Sequence, residues 1–291
     1  MQVGVTFPQT EIGADRGAVR AFAQAAEDLG YAHLIAYDHV VGADPAVHAG
    51  WAGPYTHETM FHEPFALFGY LAAVAPKLEL ATAVIIAPQR QTVLLAKQAA
   101  EIDILTAGRF RLGLGIGWNH VEYEALGMNF HDRGRRFEEQ IELLRLLWRE
   151  PVVTYEGRWH TITGAGLNPL PARPDIPLWI GANAEPAVRR AARLADGLFL
   201  MTRGLSDPGA RVDQVRGWVA EAGRDPEAFG IEIRLAAGTG TSDEWLAEVE
   251  QLSALRPSHL SVNTMDGGLK GPDEHIERIR QVAEALELAP S

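Results

Sequence analysis

Residues 78–87 read LELATAVIIA, and this stretch decides the fold class. From Ala81 onward it is apolar except for one threonine, and it does not alternate apolar with polar residues. Strands of parallel sheets that are covered on both faces have this pattern, whereas strands with one face in water alternate. Residues 92–105 follow with apolar side chains every three or four positions, as in an amphipathic helix. The stretch therefore predicts one strand–helix unit of a parallel α/β sheet.

Strand-like and helix-like segments alternate along the whole chain. Besides residues 78–86, strands are predicted at 3–7, 32–36, 110–115, 178–180, 198–201, 231–235 and 260–262. Helices are predicted at 18–29, 64–75, 92–105, 135–148, 185–195, 208–222, 243–255 and 273–286. Eight strands, each followed by a helix, predict a (β/α)8 TIM barrel of the α/β class, with a doubly wound open sheet as the alternative. We expect one such domain over residues 1–291.

Two long excursions interrupt this alternation. The loop at residues 37–63 follows the second strand and is rich in glycine, histidine and aromatic residues. Residues 151–177 follow the fourth helix and read as a β-hairpin that turns near Glu156-Gly157, then a proline-rich loop. Loops of this length inside a barrel usually form a binding site or an interface.

Composition excludes several classes of function. The chain is 47% hydrophobic, and its 38 acidic and 26 basic residues give a net charge of −12. This charge argues against nucleic acid or an anionic membrane as the partner. The chain has no cysteine, and its histidines form neither a His-x-His nor a His-Glu-x-x-His pattern, so we expect no metal site. With no signal peptide or membrane span in view, we expect a cytoplasmic enzyme acting on a small molecule.

The carboxyl ends of barrel strands carry the chemistry of TIM-barrel enzymes, and Asp38-His39 ends the second predicted strand. Histidine titrates near neutrality, and a neighbouring carboxylate can hold its tautomer. The pair is therefore a candidate acid–base site, although a capping aspartate beside an exposed histidine would look the same. Phe7 follows the first strand. Trp51 and Tyr55 in the long loop either line an apolar pocket or pack as a lid.

Glycines gather after the fourth and fifth strands. Residues 113–119 read GLGIGWN, and glycine lets backbone N–H groups approach a phosphate or a planar ring, but it also eases packing at barrel corners. The run lacks the spacing of a dinucleotide fingerprint, and no helix is evident directly after it. Trp118 either stacks on a ring or plugs the barrel mouth. The Gly181-Ala182-Asn183 turn precedes a helix start, where an anion could bind.

Four segments carry a family resemblance. They are LGYAHLIAYDH (29–39), LATAVIIAPQR (80–90), GRFRLGLGIGW with EYEALG (108–118 and 122–127), and RGRR through IPLWIG (133–136 to 176–181). The chain resembles the luciferase-like monooxygenase superfamily, and within it the class of coenzyme F420-dependent oxidoreductases. The four segments occur in the order of the family and span about the first two hundred residues.

The resemblance implies a site at the carboxyl ends of the barrel strands for a flavin or deazaflavin. The ring would lie near a non-prolyl cis peptide at Ala83-Val84. His39 would face the ring as proton donor or acceptor, supported by Asp38. The other cofactor-binding residues would be Gly115, Ile116, Gly117, Trp118, Gly181, Ala182 and Asn183, and the substrate would contact Phe7, Trp51 and Tyr55. Trp118 stands where sugar-phosphate dehydrogenases of the class carry an acidic glutamate.

The activity that the resemblance implies is hydride transfer between coenzyme F420 and an unidentified small organic substrate. Two alternatives stay open. One is an FMN-dependent monooxygenase that uses oxygen, since FMN-binding members share the barrel. The other is a flavin-binding barrel without turnover. Relatives often form dimers, so a homodimer is expected.

Overall fold

The computed structural model describes residues 1–289. Within them the chain forms eleven strands: β1 (Gln2–Thr6), β2 (His33–Ala36), β3 (Glu79–Thr82), β4 (Ile85–Ile86), β5 (Phe110–Gly115), β6 (Val153–Glu156), β7 (Thr161–Ala165), β8 (Leu178–Gly181), β9 (Gly197–Phe199), β10 (Gly230–Ala236) and β11 (His259–Asn263). The described helices are α1 (Arg16–Asp28), α2 (Pro64–Val74), α3 (Thr92–Leu105), α4 (His120–Ala125), α5 (Arg133–Arg149), α6 (Glu185–Leu194), α7 (Pro208–Glu221), α8 (Ser242–Ser253) and α9 (Pro272–Ala285). None of them is long and apolar enough to span a bilayer.

Parallel pairing closes the sheet into a ring. The order around it is β1, β2, β3, β5, β8, β9, β10 and β11, and β4 continues β3 along the edge of β5. The ring closes where Val3 of β1 pairs with Leu260 of β11. An open doubly wound sheet has no such closing pair, so the predicted (β/α)8 barrel is confirmed and the alternative is excluded.

The helices cover the barrel with the faces that the periodicity predicted. In α1 the buried side chains are Ala18, Val19, Phe22, Ala23 and Ala26. Gly30 follows with φ of 84°, a left-handed conformation that glycine adopts without steric cost and that ends the helix as expected. The apolar core combines these helix faces with strand side chains such as Val5, Leu34 and Leu112.

The third strand is not continuous, contrary to the prediction over residues 78–86. It is divided into β3 and β4, and the peptide between Ala83 and Val84 is cis, as the resemblance implied. Ala81 pairs with Arg111 and Ile85 pairs with Leu114, so β3–β4 has one residue more than β5 between the two pairs. This is the arrangement of a β-bulge, which re-aims a side chain at a barrel rim.

A buried ionic cluster fills the barrel near the amino ends of the strands. The Arg111 guanidinium contacts the carboxylates of Glu232 and Glu79, each at 2.7 Å. It also stacks 4.3 Å from the ring centre of Trp179. Nε2 of His33 lies 3.1 Å from Glu232. Burial raises the pKa of Glu232, but His33 and Arg111 outweigh it and lower this pKa to about 2. These groups lie at the end of the barrel opposite the carboxyl ends of the strands.

The second excursion is the predicted hairpin. Strands β6 and β7 pair antiparallel, and residues 157–160 form the turn between them. Glu139 on α5 accepts hydrogen bonds from the backbone N–H groups of Arg158, Trp159 and His160, each at 2.9 Å. One carboxylate therefore fixes the tip of the hairpin to the barrel.

Candidate active site

The carboxyl ends of β4, β5 and β8 meet around the side chain of Val84. A Cβ atom added at Gly115 would lie 2.6 Å from Val84, and one added at Gly181 would lie 2.9 Å from it. A Cβ atom added at Gly117, where φ is 64°, would lie 2.8 Å from the side chain of Ile86. The structure thus brings Ala83, Val84 and the two predicted glycine segments together at one mouth of the barrel. Val84 stays partly exposed there, so it offers an apolar surface.

A short helix follows the glycine run, where none was predicted. Asn119 caps α4 by accepting from the N–H groups of Val121 at 3.1 Å and Glu122 at 3.3 Å. The hydroxyl of Tyr123 donates to the carbonyl of Ile116 at 2.6 Å, which fixes the chain before Trp118. The pattern of asparagine followed three residues later by glutamate is a known helix-start signal, and it could have located α4.

His39 lies at this mouth, and its carboxylate partner is Glu122. Nδ1 of His39 is 3.4 Å from Oε2 of Glu122, at the outer edge of hydrogen-bonding range. The side chain of Glu122 is 1% exposed, compared with 12% for His39. Burial raises the pKa of Glu122, but hydrogen bonds from His39 and the Val40 N–H more than offset this, so the pKa is lowered. Glu122 therefore stays ionised behind a partly exposed imidazole.

Asp38 has other partners than the one expected. Its Oδ1 lies 2.6 Å from the guanidinium of Arg90, and its Oδ2 accepts from the Ile86 N–H at 3.0 Å. The expected support of His39 by Asp38 is therefore replaced by support from Glu122, because the chain turns Asp38 toward β4. Burial raises the pKa of Asp38, and Arg90 opposes this rise. The pair of Asp38 and Arg90 fixes the end of β2 against the residues that follow β4.

Aromatic side chains from the long loop surround His39. The ring centres of Tyr55 and Phe61 lie 5.0 Å and 4.7 Å from it, and that of Trp118 lies 5.7 Å away. Trp51 packs 5.7 Å from Trp118. A cavity of about 330 Å³ opens beside these rings. Its lining contains no Lys, Arg, Asp or Glu; it consists of His39, Val40, Val41, Gly42, Tyr55, Thr56, His57, Thr59, Phe61 and Asn119.

One predicted site residue, Phe7, has a position that differs from its expected role. Phe7 is fully buried, with its ring 5.8 Å from Phe22 and 5.7 Å from His62. It presents no surface to a substrate, because the loop after β2 covers it. Asn183 accepts a hydrogen bond from the Met201 N–H at 3.3 Å, so its side chain links the ends of β8 and β9.

The mouth offers backbone donors as well as an apolar surface. Helix α6 begins after Ala184 without a side-chain cap, and Gly181 and Ala182 lie just before it. Pro186 has no N–H and the Ala187 N–H donates to the Ala184 carbonyl, so the Glu185 N–H is the donor that the first turn offers. N–H groups at a helix start favour an anion such as a phosphate. A flat ring over Val84 with its phosphate toward Gly117 and α6 fits these residues, so the donor set is compatible with a flavin or deazaflavin.

The comparisons with known proteins agree with this geometry. The model of the luciferase-like monooxygenase family matches residues 1–287. The chain belongs to the luciferase-like monooxygenase family. An uncharacterized protein of Mycobacterium tuberculosis is 36% identical over 170 residues, 56% of either chain. The FMNH(2)-dependent dimethylsulfone monooxygenase of Pseudomonas fluorescens is 31% identical over 201 residues, which is 68% of this chain and 51% of that protein.

Two solved structures share the fold over almost the whole chain. Monooxygenase RslO1 from Streptomyces bottropensis superposes with a TM-score of 0.80 at 20% identity, over 99% of both chains. An F420-dependent secondary alcohol dehydrogenase, solved with an F420-acetone adduct, gives 0.78 at 16% identity over 98% of both chains. The sequence matches to curated relatives cover about half to 62% of the length of those proteins. A relative of this chain is thus named for FMNH(2), and a protein with the same fold is named for F420.

Proposed function

We propose that this protein is an oxidoreductase that transfers a hydride between coenzyme F420 and an uncharged small organic molecule, with His39 as the proton donor or acceptor. The observation that carries the proposal is the partly exposed imidazole of His39. It is backed by an ionised Glu122 and lines a cavity formed by the residues that follow β2 and by Asn119. Histidine is the side chain best suited to moving a proton near neutral pH.

Each part of the mouth has a distinct task in this proposal. Val84 supports the flat ring, and Gly115 and Gly181 leave room for the Val84 side chain because they have no side chain of their own. The N–H groups after Gly117 and the Glu185 N–H at the start of α6 bind the phosphate. The deazaflavin, when bound, supplies a ring carbon that accepts or gives a hydride. His39 holds or releases the matching proton on the substrate oxygen, and the aromatic rings exclude water.

The cavity indicates the chemical class of the substrate. Its lining contains no Lys, Arg, Asp or Glu, and Tyr55 and Phe61 contribute aromatic surface. A buried anion or cation without a partner of opposite charge is costly, so this lining favours an uncharged alcohol or ketone. The solved alcohol dehydrogenase is named for chemistry of this kind.

An FMN-dependent monooxygenase is the second candidate, because a relative at 31% identity is named for FMNH(2). Calorimetric titration of the purified protein with oxidised coenzyme F420 and, separately, with FMN distinguishes the two. We expect micromolar affinity for coenzyme F420 and weaker binding of FMN. The reverse order would assign the monooxygenase function, and failure of both to bind would remove the proposal.

Replacing His39 tests its role in proton transfer. We expect His39→Asn to bind the coenzyme as the unmodified protein does. Its rate of hydride transfer should fall by about 10²–10⁴-fold, the usual contribution of general acid–base catalysis. The measurement follows bleaching of the coenzyme with a panel of uncharged secondary alcohols. His131→Asn, at an exposed position, is the matched control and should react at the original rate. An undiminished rate in His39→Asn would contradict the assignment.

A further inference from the structure

We propose that Glu122 is the positioning residue of the candidate site: its carboxylate keeps a proton on Nδ1 of His39 and leaves Nε2 of His39 as the atom that exchanges protons. The role of Nε2 in turnover rests on the proposed function. The tautomer itself does not, because it follows from the contacts of Glu122 in the protein alone.

The carboxylate of Glu122 is fixed on all sides by donors. Oε1 accepts hydrogen bonds from the backbone N–H groups of Val40 and Val41, and Oε2 accepts from Nε2 of Gln89 at 3.2 Å. Val40 and Val41 follow His39 directly, so the same carboxylate that faces the imidazole also shapes the chain beyond it. Rotation of Glu122 would break these bonds, which leaves Oε2 aimed at Nδ1 of His39.

An ionised carboxylate accepts hydrogen bonds and cannot donate them. A neutral imidazole carries one N–H, and the contact it makes determines which nitrogen holds the proton. Because Oε2 of Glu122 faces Nδ1 at 3.4 Å, the proton belongs on Nδ1. Contacts of this kind are often long before a ligand closes the site. Nε2 then keeps its lone pair and can receive a proton from the substrate.

Asp38 also interacts electrostatically with His39, but its carboxylate oxygens are held by other partners. Asp38 is engaged by Arg90, and Arg90 also lies 3.9 Å from Glu63. Within residues 1–289, the ion-pair contact of Glu122 is with His39, and no Lys or Arg nitrogen lies within 4 Å of its carboxylate. The negative charge of Glu122 is therefore directed at the imidazole.

The first test reads the tautomer directly and needs no coenzyme. Long-range ¹H–¹⁵N correlation spectra of the ¹⁵N-histidine-labelled protein, recorded at mildly alkaline pH, distinguish the two tautomers. The signal that disappears in His39→Asn assigns His39. We expect the Nδ1–H form to dominate in the unmodified protein. Dominance of the Nε2–H form there would overturn the proposal, whatever the behaviour of any variant.

Glu122→Gln provides the complementary test. The glutamine oxygen can still accept from Val40, and its amide group donates toward Nδ1 of His39 once Gln89 turns its own amide oxygen toward it. We expect the signal of His39 to change to the Nε2–H form. Glu124→Gln, on the exposed side of the same helix, is the matched control and should leave the signal unchanged. An unchanged tautomer in folded Glu122→Gln, or the same switch in Glu124→Gln, would overturn the proposal.

A kinetic measurement connects the tautomer to turnover. We expect Glu122→Gln to bind the coenzyme normally and to transfer hydride more slowly by about 10–100-fold, the usual cost of losing a group that orients a functional side chain. Glu122→Asp restores the carboxylate acceptor and should recover part of the rate lost in Glu122→Gln. An unchanged rate in Glu122→Gln, or no recovery in Glu122→Asp, would contradict the proposed role of Glu122. If the unmodified protein shows no turnover with either coenzyme, the proposed function is wrong, but the tautomer measured by NMR is unaffected.

Discussion

His259 lies partly buried at the amino end of β11, beside the ionic cluster of Arg111 and Glu232. Its ring centre is 5.3 Å from that of His33 and 5.0 Å from that of Trp179. Burial, together with the charge of Arg111, lowers the pKa of His259 to about 3 from an ordinary value of 6.5. The folded protein therefore holds this imidazole neutral in a pH range where the unfolded chain protonates it.

The sign of the resulting pH dependence follows from proton linkage. Between pH 6.5 and about 3 the unfolded state binds more protons, so acidification through this range removes stability. We expect His259→Gln to reduce the dependence of the unfolding free energy on pH by at most about 1.4 kcal/mol per pH unit, the value for one proton. Urea unfolding at a series of pH values measures it. His131→Gln is the control, and equal slopes in the unmodified protein and His259→Gln would refute the linkage.

At single residues, the sequence predicted which residues belong to the site better than it predicted which side chains they contact. It pointed to His39, which the structure places at the mouth, but it paired His39 with its neighbour Asp38. Adjacent residues at a strand end point in different directions, and the carboxylate that reaches His39 comes from position 122, far along the chain. Phe7 was misjudged for a related reason, because nothing local to β1 indicates that His62 covers its ring. The roles of the other predicted site residues stay predictions.

Among the elements, the β6–β7 hairpin is fixed at its tip by Glu139. Nδ1 of His160 also lies 2.7 Å from this carboxylate, and Nε2 of His160 lies 2.7 Å from the hydroxyl of Thr92 on α3. The hairpin thus contacts two barrel helices through one histidine. Without Glu139, three backbone N–H groups of the tip lose their acceptor.

We expect Glu139→Ala to increase amide hydrogen exchange at residues 157–160 while the barrel strands remain protected, since opening is local where few contacts hold a segment. Hydrogen exchange read by mass spectrometry measures it. Glu142→Ala, one turn along α5, is the matched control, because Glu142 contributes a single long contact of 3.4 Å to Tyr155. Equal protection of the tip in Glu139→Ala and the unmodified protein would show that Glu139 does not hold it.

Elements with strong periodicity were predicted closely, and irregular ones were not. Helix α3 begins and ends at the residues predicted, because its apolar repeat is regular over the whole segment. Continuous apolar character could not reveal the break between β3 and β4, since a bulge changes the direction of the chain without changing hydrophobicity. Helix α4 was missed because it is short and its stripe covers less than two turns.

For the whole molecule, the closed ring has consequences for unfolding. Every strand of the barrel has a neighbour on both sides, so removing one strand exposes the edges of two others. We expect one cooperative transition in urea, with far-UV circular dichroism and tryptophan fluorescence giving the same midpoint. Two separated transitions would contradict the prediction of one domain over residues 1–291, of which 290 and 291 lie outside the described part.

Closure of the barrel was predictable because it depends on eight regular units and not on any single contact. The identity of the cofactor at the mouth was less predictable, since coenzyme F420 and FMN present similar rings to the same fold. The expected homodimer and the cytoplasmic location likewise stay predictions, and sedimentation analysis tests the first. The sequence alone did not reveal that residues 39, 84, 115, 122 and 181 meet, which follows from the neighbouring positions of β2, β3, β4, β5 and β8 in the sheet.

Two of the seven indoles in the chain, those of Trp51 and Trp118, pack against each other at the barrel mouth. Trp118 is 40% exposed, so a flavin or deazaflavin bound at the mouth would lie within range for resonance energy transfer from its indole. The emission of this pair is thus a native optical reporter of occupancy. Pre-steady-state association of either coenzyme can be timed in the unlabelled protein by the quenching of that emission.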